Sequence, residues 1–186
     1  RKAVSSDFKR ADDHIYLLGE THQELGASEL AFMFRDEGSG GIGGEVPRIN
    51  PERNLAMYRA LTSAMSEGLV ASAHDCSDGG LAVALAESCF GSGSGAVVDI
   101  SSLERDCNHL DEWGALFGES LGRILVSVAP SDSNAFAAAM KGSSCSRLGT
   151  VEQGDMITVN YGDTVVLQAS MTELKQAWQG SLGGDA

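Results

Sequence analysis

The sequence predicts an α+β fold, a mixed, largely antiparallel sheet of about six strands flanked by helices. Three observations carry this. Short runs rich in β-branched residues and bounded by turn-forming residues recur along the chain and read as strands. Between them lie stretches with apolar residues at helical spacing, and glycines stand where those helices should stop. The two kinds of segment alternate without a strict βαβ rhythm and without a repeat of fixed period, which argues against a parallel doubly wound sheet and against a solenoid.

In chain order, His14 to Leu18 reads as a strand entering a turn at Gly19, and Ser28 is placed to cap a short helix over Glu29 to Phe34. Asp36 to Pro51 holds five glycines and two prolines and reads as a loop. Leu55, Ala56, Leu61, Ala64 and Met65 then recur at helical spacing up to Gly68. Leu69 to Ala73 reads as a buried strand, Ser77 to Gly80 as a turn, and Leu81 to Phe90 as a helix ending at Gly91. Gly95 to Ile100 and Arg123 to Val128 are strand-like, with a helix expected over Leu110 to Phe117. Ser131 to Lys141 is an alanine-rich helix stopped by Gly142. Leu148 to Val151, Met156 to Val159 and Thr164 to Leu167 follow as strands, the last two joined at Gly162-Asp163, and a final helix runs from Thr172 through Trp178.

At 186 residues the chain falls in the range of one domain, residues 1–186. It begins on Arg1 and not on methionine, so the expectation is a piece cut from a longer chain. No window holds the roughly 20 apolar residues that span a bilayer, no signal peptide is recognisable, and a cytoplasmic protein is expected. A net charge of −13 with only 13 Lys and Arg argues against a nucleic-acid or anionic-membrane surface. It does not exclude a small anion, which backbone N–H groups at a helix start can bind without any basic residue. Cys76, Cys89, Cys107 and Cys145 form no C-x-x-C pair, so neither a zinc site nor a disulfide framework is signalled, and no metal-ligating residue is assigned.

The segment that carries chemistry is Ser77-Asp78-Gly79-Gly80, between a strand and a helix. The first N–H groups of a helix lack intrahelical partners and the helix dipole favours negative charge there. Gly79 and Gly80 would let a phosphate approach the backbone, Ser77 can donate its hydroxyl, and Asp78 can cap the helix or hold Mg²⁺ beside a phosphate. The expectation is therefore a phosphate- or nucleotide-binding turn whose N–H groups point into an open cleft. The plainer reading is a capped strand-to-helix connection, since the segment is neither a Walker motif nor G-x-G-x-x-G. Gly38 to Gly44 lacks a lysine and reads as a loop. Glu119 and Arg123 read either as a functional carboxylate with an anion-binding guanidinium or as a surface ion pair worth about 0–1 kcal/mol.

The run Ala73-His74-Asp75-Cys76-Ser77-Asp78-Gly79-Gly80-Leu81-Ala82-Val83-Ala84-Leu85-Ala86-Glu87 resembles the signature of the C-terminal domain of the phosphoribosylformylglycinamidine synthase family, large component. Leu17-Leu18-Gly19-Glu20-Thr21 with Glu24-Leu25-Gly26-Ala27-Ser28-Glu29 resembles its LLGET and ELGGSE segment. Leu116-Phe117-Gly118-Glu119-Ser120 with Arg123 resembles its LFGESQSR segment, and the Leu174 to Trp178 helix its end. Ala27 stands where the family has a second glycine, and Leu121 where it has a glutamine.

The resemblance implies a domain like the aminoimidazole ribonucleotide synthase C-terminal domain, in an enzyme with two copies of a two-domain unit. This chain resembles the second copy without its amino-terminal partner. The whole enzyme would convert formylglycinamide ribonucleotide, ATP and ammonia drawn from glutamine into formylglycinamidine ribonucleotide, ADP and phosphate. ATP would phosphorylate the formyl amide oxygen, and ammonia would displace the phosphate.

The resemblance places the family's catalytic histidine and most Mg²⁺ ligands on the amino-terminal domains, so no catalytic residue is assigned here and His74 reads as structural. Ser77, Asp78, Gly79 and Gly80 carry over as the phosphate-facing turn, with Glu119, Ser120 and Arg123 as cleft contacts. ATP and Mg²⁺ are expected only in the complete enzyme, and its partners would be the missing amino-terminal domains and a glutaminase domain or subunit.

Two rivals stand beside this. One is another ATP-using relative, of the aminoimidazole ribonucleotide synthase, thiamine-monophosphate kinase or hydrogenase maturation type, against which the LLGET and ELGASE segments speak. The other is a non-catalytic docking module with an acidic surface. The coding sequence upstream of Arg1 separates enzyme from module.

Overall fold

The computed structural model describes residues 3–35, 44–103 and 110–182. Cys107 and most of the Gly38 to Gly44 loop lie outside the described residues. Among the described residues seven strands form one sheet: β1 (His14–Leu18), β2 (Ser72–Asp75), β3 (Gly95–Asp99), β4 (Ile124–Val128), β5 (Cys145–Glu152), β6 (Met156–Tyr161) and β7 (Thr164–Ser170), in the order β2-β4-β1-β5-β3-β6-β7. Every neighbouring pair is antiparallel except β3 with β6. The sheet is thus mixed and largely antiparallel, with one strand more than the six expected, because every run that reads as strand is used.

Six α-helices among the described residues accompany it: α1 (Glu29–Met33), α2 (Pro51–Glu67), α3 (Gly80–Phe90), α4 (Glu112–Phe117), α5 (Ser133–Ala139) and α6 (Met171–Leu182). Alternation in β1 and β4 shows how the layers form. Ile15 and Leu17 of β1 and Leu125 of β4 face a core shared with Leu81 and Leu85 of α3 and Leu116 of α4. Tyr16, Leu18, Val126 and Val128 face the opposite way, against Met57 and Leu61 of α2 and Phe136 of α5. Burial on both faces is why these two strands are nearly continuous apolar runs. Beyond β1 the second face is open in places: Val97 of β3 is 39% exposed.

α2 has signals at both ends. Asn50 caps its start by accepting the Arg53 N–H at 3.2 Å, and Pro51 follows in the first helical position. Gly68 ends it at φ +83°, and the N–H of Leu69 still closes back onto Ala64 O at 3.0 Å. That closure displaces β2. The strand expected over Leu69 to Ala73 instead spans Ser72–Asp75, because Leu69 belongs to the helix cap and Asp75 pairs with Ile124.

Candidate functional site

The β2–β4 pairing builds the site. With Asp75 opposite Ile124, the turn leaving β2 and the segment entering β4 must lie side by side, and the N–H of Cys76 donates to Arg123 O at 3.0 Å. A cleft of about 580 Å³ opens there, lined by Asp75, Ser77, Asp78 and Glu119 together with Tyr58 and Leu121. The fold thereby brings together the Ser77 to Gly80 turn, Glu119, and the Gly26-Ala27 corner of the segment after β1.

Ser77 and Asp78 are exposed on the rim. The Ser77 hydroxyl donates to Asp75 Oδ2 at 2.5 Å, and this bond is the main reason the Asp75 carboxyl titrates below its ordinary value. Gly79 and Gly80 are buried and both left-handed, at φ +75° and +65°. Their lack of a side chain serves the protein. A Cβ on Gly79 would stand 2.3 Å from Val83 Cγ2, and one on Gly80 would stand 2.5 Å from Gly118 O. The expectation that these N–H groups point into open space is corrected. Gly79 N–H donates to Glu119 Oε1 at 3.0 Å, and Gly80 N–H donates to Ser77 O at 3.0 Å.

Glu119 Oε1 also accepts the N–H of Glu29, the first residue of α1, at 2.9 Å. Ser120 is corrected from cleft contact to internal link: it is buried, and its Oγ accepts the His22 N–H at 3.1 Å. Arg123 is neither a surface ion pair nor an open anion-binding group. Only 1% exposed, its guanidinium donates to Ala115 O at 3.3 Å and to Gly118 O, closing the carboxyl end of α4. Burial lowers its pKa, and the carboxylates of Glu24 and Glu119 work in the opposite direction. A guanidinium stays protonated in a protein, so a charge is held inside the fold.

Glu24 has no role of its own in the sequence reading, yet it is the buried carboxylate near this cation. Its Oε1 accepts the Arg48 N–H at 2.9 Å, while among the described residues its Oε2 and the Arg123 Nε are both buried without a hydrogen-bond partner. The one available signal was an acid set between turn and apolar residues in the ELGASE run. Both ring nitrogens of His74 have partners in the fold. Its Nδ1 lies 2.7 Å from Asp75 O and its Nε2 lies 3.1 Å from Glu87 Oε2, while Glu87 Oε1 accepts from Trp178 Nε1 at 3.2 Å. This chain of contacts ties the end of β2 to α3 and α6.

Ala27 is left-handed at φ +60° and exposed. An alanine there is strained by its own backbone and not by neighbours. Ala27→Gly is expected to raise stability by about 1 kcal/mol, the relief of that strain less the extra freedom of the unfolded chain. Urea denaturation measures it, and a loss of stability would contradict the strain argument.

Residues 10–162 match the profile of the family described as "AIR synthase related protein, C-terminal domain". Among solved structures, Thermotoga maritima PurL complexed with FGAR is similar with a TM-score of 0.80 at 20% identity, over 93% of this chain and 29% of that chain. The same protein complexed with ATP gives a TM-score of 0.76 at 19% identity, over 93% of this chain and 27% of that one. Escherichia coli HypE, a hydrogenase maturation protein, gives 0.63 at 14% identity, over 90% of this chain and 52% of that one. These likenesses show a shared fold, and the chain spans less than a third of the PurL chains it matches.

Proposed function

The chain belongs to the family of AIR synthase related C-terminal domains, and from that premise we propose that it is one domain, residues 1–186, of a cytoplasmic phosphoribosylformylglycinamidine synthase. In that enzyme it forms one wall of a nucleotide cleft. The observation that carries the reading is the convergence of three separate segments, Glu24 to Glu29, Asp75 to Gly80 and Gly118 to Arg123, on a single open cleft. Those segments are the ones that resemble the family's signatures. The similar PurL structures are complexed with ATP and with FGAR, the pair the reaction needs.

The electrostatics define what this wall supplies. Asp75, Asp78 and Glu119 line the cleft, and its one arginine has its guanidinium buried in the fold. Like charge repels a bare polyphosphate from such a wall, so the nucleotide enters as its Mg²⁺ complex. Among the described residues no group of three or more His, Cys, Asp and Glu side chains is placed to hold a metal ion. The family resemblance puts most of the cation's ligands on the enzyme's amino-terminal domains. On this reading the Ser77 to Gly80 turn meets the phosphates through its exposed rim, Ser77 and Asp78, while Gly79 and Gly80 shape the bend behind them. Ammonia comes from a glutaminase partner.

The test is turnover. An enzyme joining this chain to its amino-terminal domains should release ADP only when formylglycinamide ribonucleotide and ammonia are both present. The chain alone should release none, because catalysis requires groups held together and most lie elsewhere. ADP release with a different acceptor, or synthase turnover by the isolated chain, would overturn the proposal.

A further inference from the structure

Among the polar groups at the cleft, Glu119 makes a contact that a ligand-binding carboxylate would not make. One of its oxygens is committed to two backbone donors from distant parts of the chain, Glu29 N–H at 2.9 Å and Gly79 N–H at 3.0 Å. Its own backbone is fixed on both sides. The Glu119 N–H donates to Glu24 O at 3.3 Å, the next residue takes the His22 N–H, and the buried Arg123 guanidinium holds Gly118 O. The carboxylate thus sits where the dipole of α3 favours a negative charge. A phosphate approaching Gly79 N–H would first have to expel Glu119 and would then face an unpartnered carboxylate.

We propose that Glu119 is a positioning residue, an internal anion that pins the start of α3 to the start of α1 and sets the width of the cleft, without touching the nucleotide. The proposal rests on the reading of the cleft as a nucleotide site, but its structural half stands apart from that reading. Charge-assisted hydrogen bonds from backbone N–H groups are among the stronger ones a protein makes, so one carboxylate can hold both segments. Glutamine keeps the accepting oxygen and loses the charge, whereas alanine loses both.

The experiment compares Glu119→Ala with Glu119→Gln in two measurements. In hydrogen exchange on this chain, Glu119→Ala should speed the amides of Glu29 and Gly79 by about 10–100-fold, the loss of one hydrogen bond to a charged group. Glu119→Gln should restore most of the protection. In the complete enzyme, Glu119→Ala should raise KM for ATP more than it lowers kcat, and Glu119→Gln should recover most of that loss. Unchanged exchange in Glu119→Ala overturns the proposal. So does a Glu119→Gln enzyme as impaired as Glu119→Ala while its amides stay protected, since the charge would then be meeting the ligand. If the parent enzyme lacks synthase activity, the functional reading fails, and the exchange result alone decides whether Glu119 pins the two segments.

Discussion

Replacing Arg123 with methionine is expected to cost the fold about 3–5 kcal/mol, because two buried carbonyls lose their charged donor and the buried Glu24 carboxylate loses a nearby cation. Methionine fills much of the space and removes the donors. The carbonyls of Ala115 and Gly118 would then lose their guanidinium partner, and the Glu24 carboxylate would stay buried near no cation. Adding Glu24→Gln to the same chain should return part of the loss, because the uncompensated charge goes while the acceptor for the Arg48 N–H remains. Guanidinium denaturation at neutral pH, followed by circular dichroism, measures both. A cost below about 1 kcal/mol for Arg123→Met would place it with exposed ion pairs and contradict the burial argument.

That outcome marks the limit of what the sequence makes legible. Glu119 and Arg123 read in sequence as one unit, a functional carboxylate with an anion-binding guanidinium or a surface ion pair. The fold separates them: the carboxylate turns toward α3 and the guanidinium turns inward to α4. By contrast β1, β4 and the carboxyl end of α2 are readable, because apolar runs and Gly68 act locally. The start of β2 is misplaced since a helix cap and a strand compete for Leu69 to Ala71, and only the pairing with β4 decides. The cleft follows the same division. Its Ser77 to Gly80 turn can be read from glycines beside a helix, whereas its filling by Glu119 depends on a contact across 40 residues.

The same contact across the chain gives Gly80 its role. Gly80→Ala is expected to destabilise through two separable terms, a left-handed backbone costing about 1–2 kcal/mol for a residue with a Cβ, and overpacking worth about 1–3 kcal/mol. Its Cβ would lie 2.5 Å from Gly118 O, which Arg123 holds, and 2.8 Å from Leu116 O, both backbone atoms at the end of α4. They have no rotamer to change, so the strain falls on the α3–α4 contact. Gly93 supplies the control: it has the same φ of +65°, and a Cβ there meets nothing within 4 Å. Gly93→Ala should therefore lose only the backbone term, and the difference between the two variants in urea reads the overpacking directly. Equal losses would show that α4 yields and that Gly80 is required for its backbone alone. If Gly80→Ala is the costlier change, weakened nucleotide binding in a Gly80 variant reports a displaced α3. Ser77→Ala, which alters the exposed rim and leaves the bend intact, is then the substitution that tests contact with the phosphates.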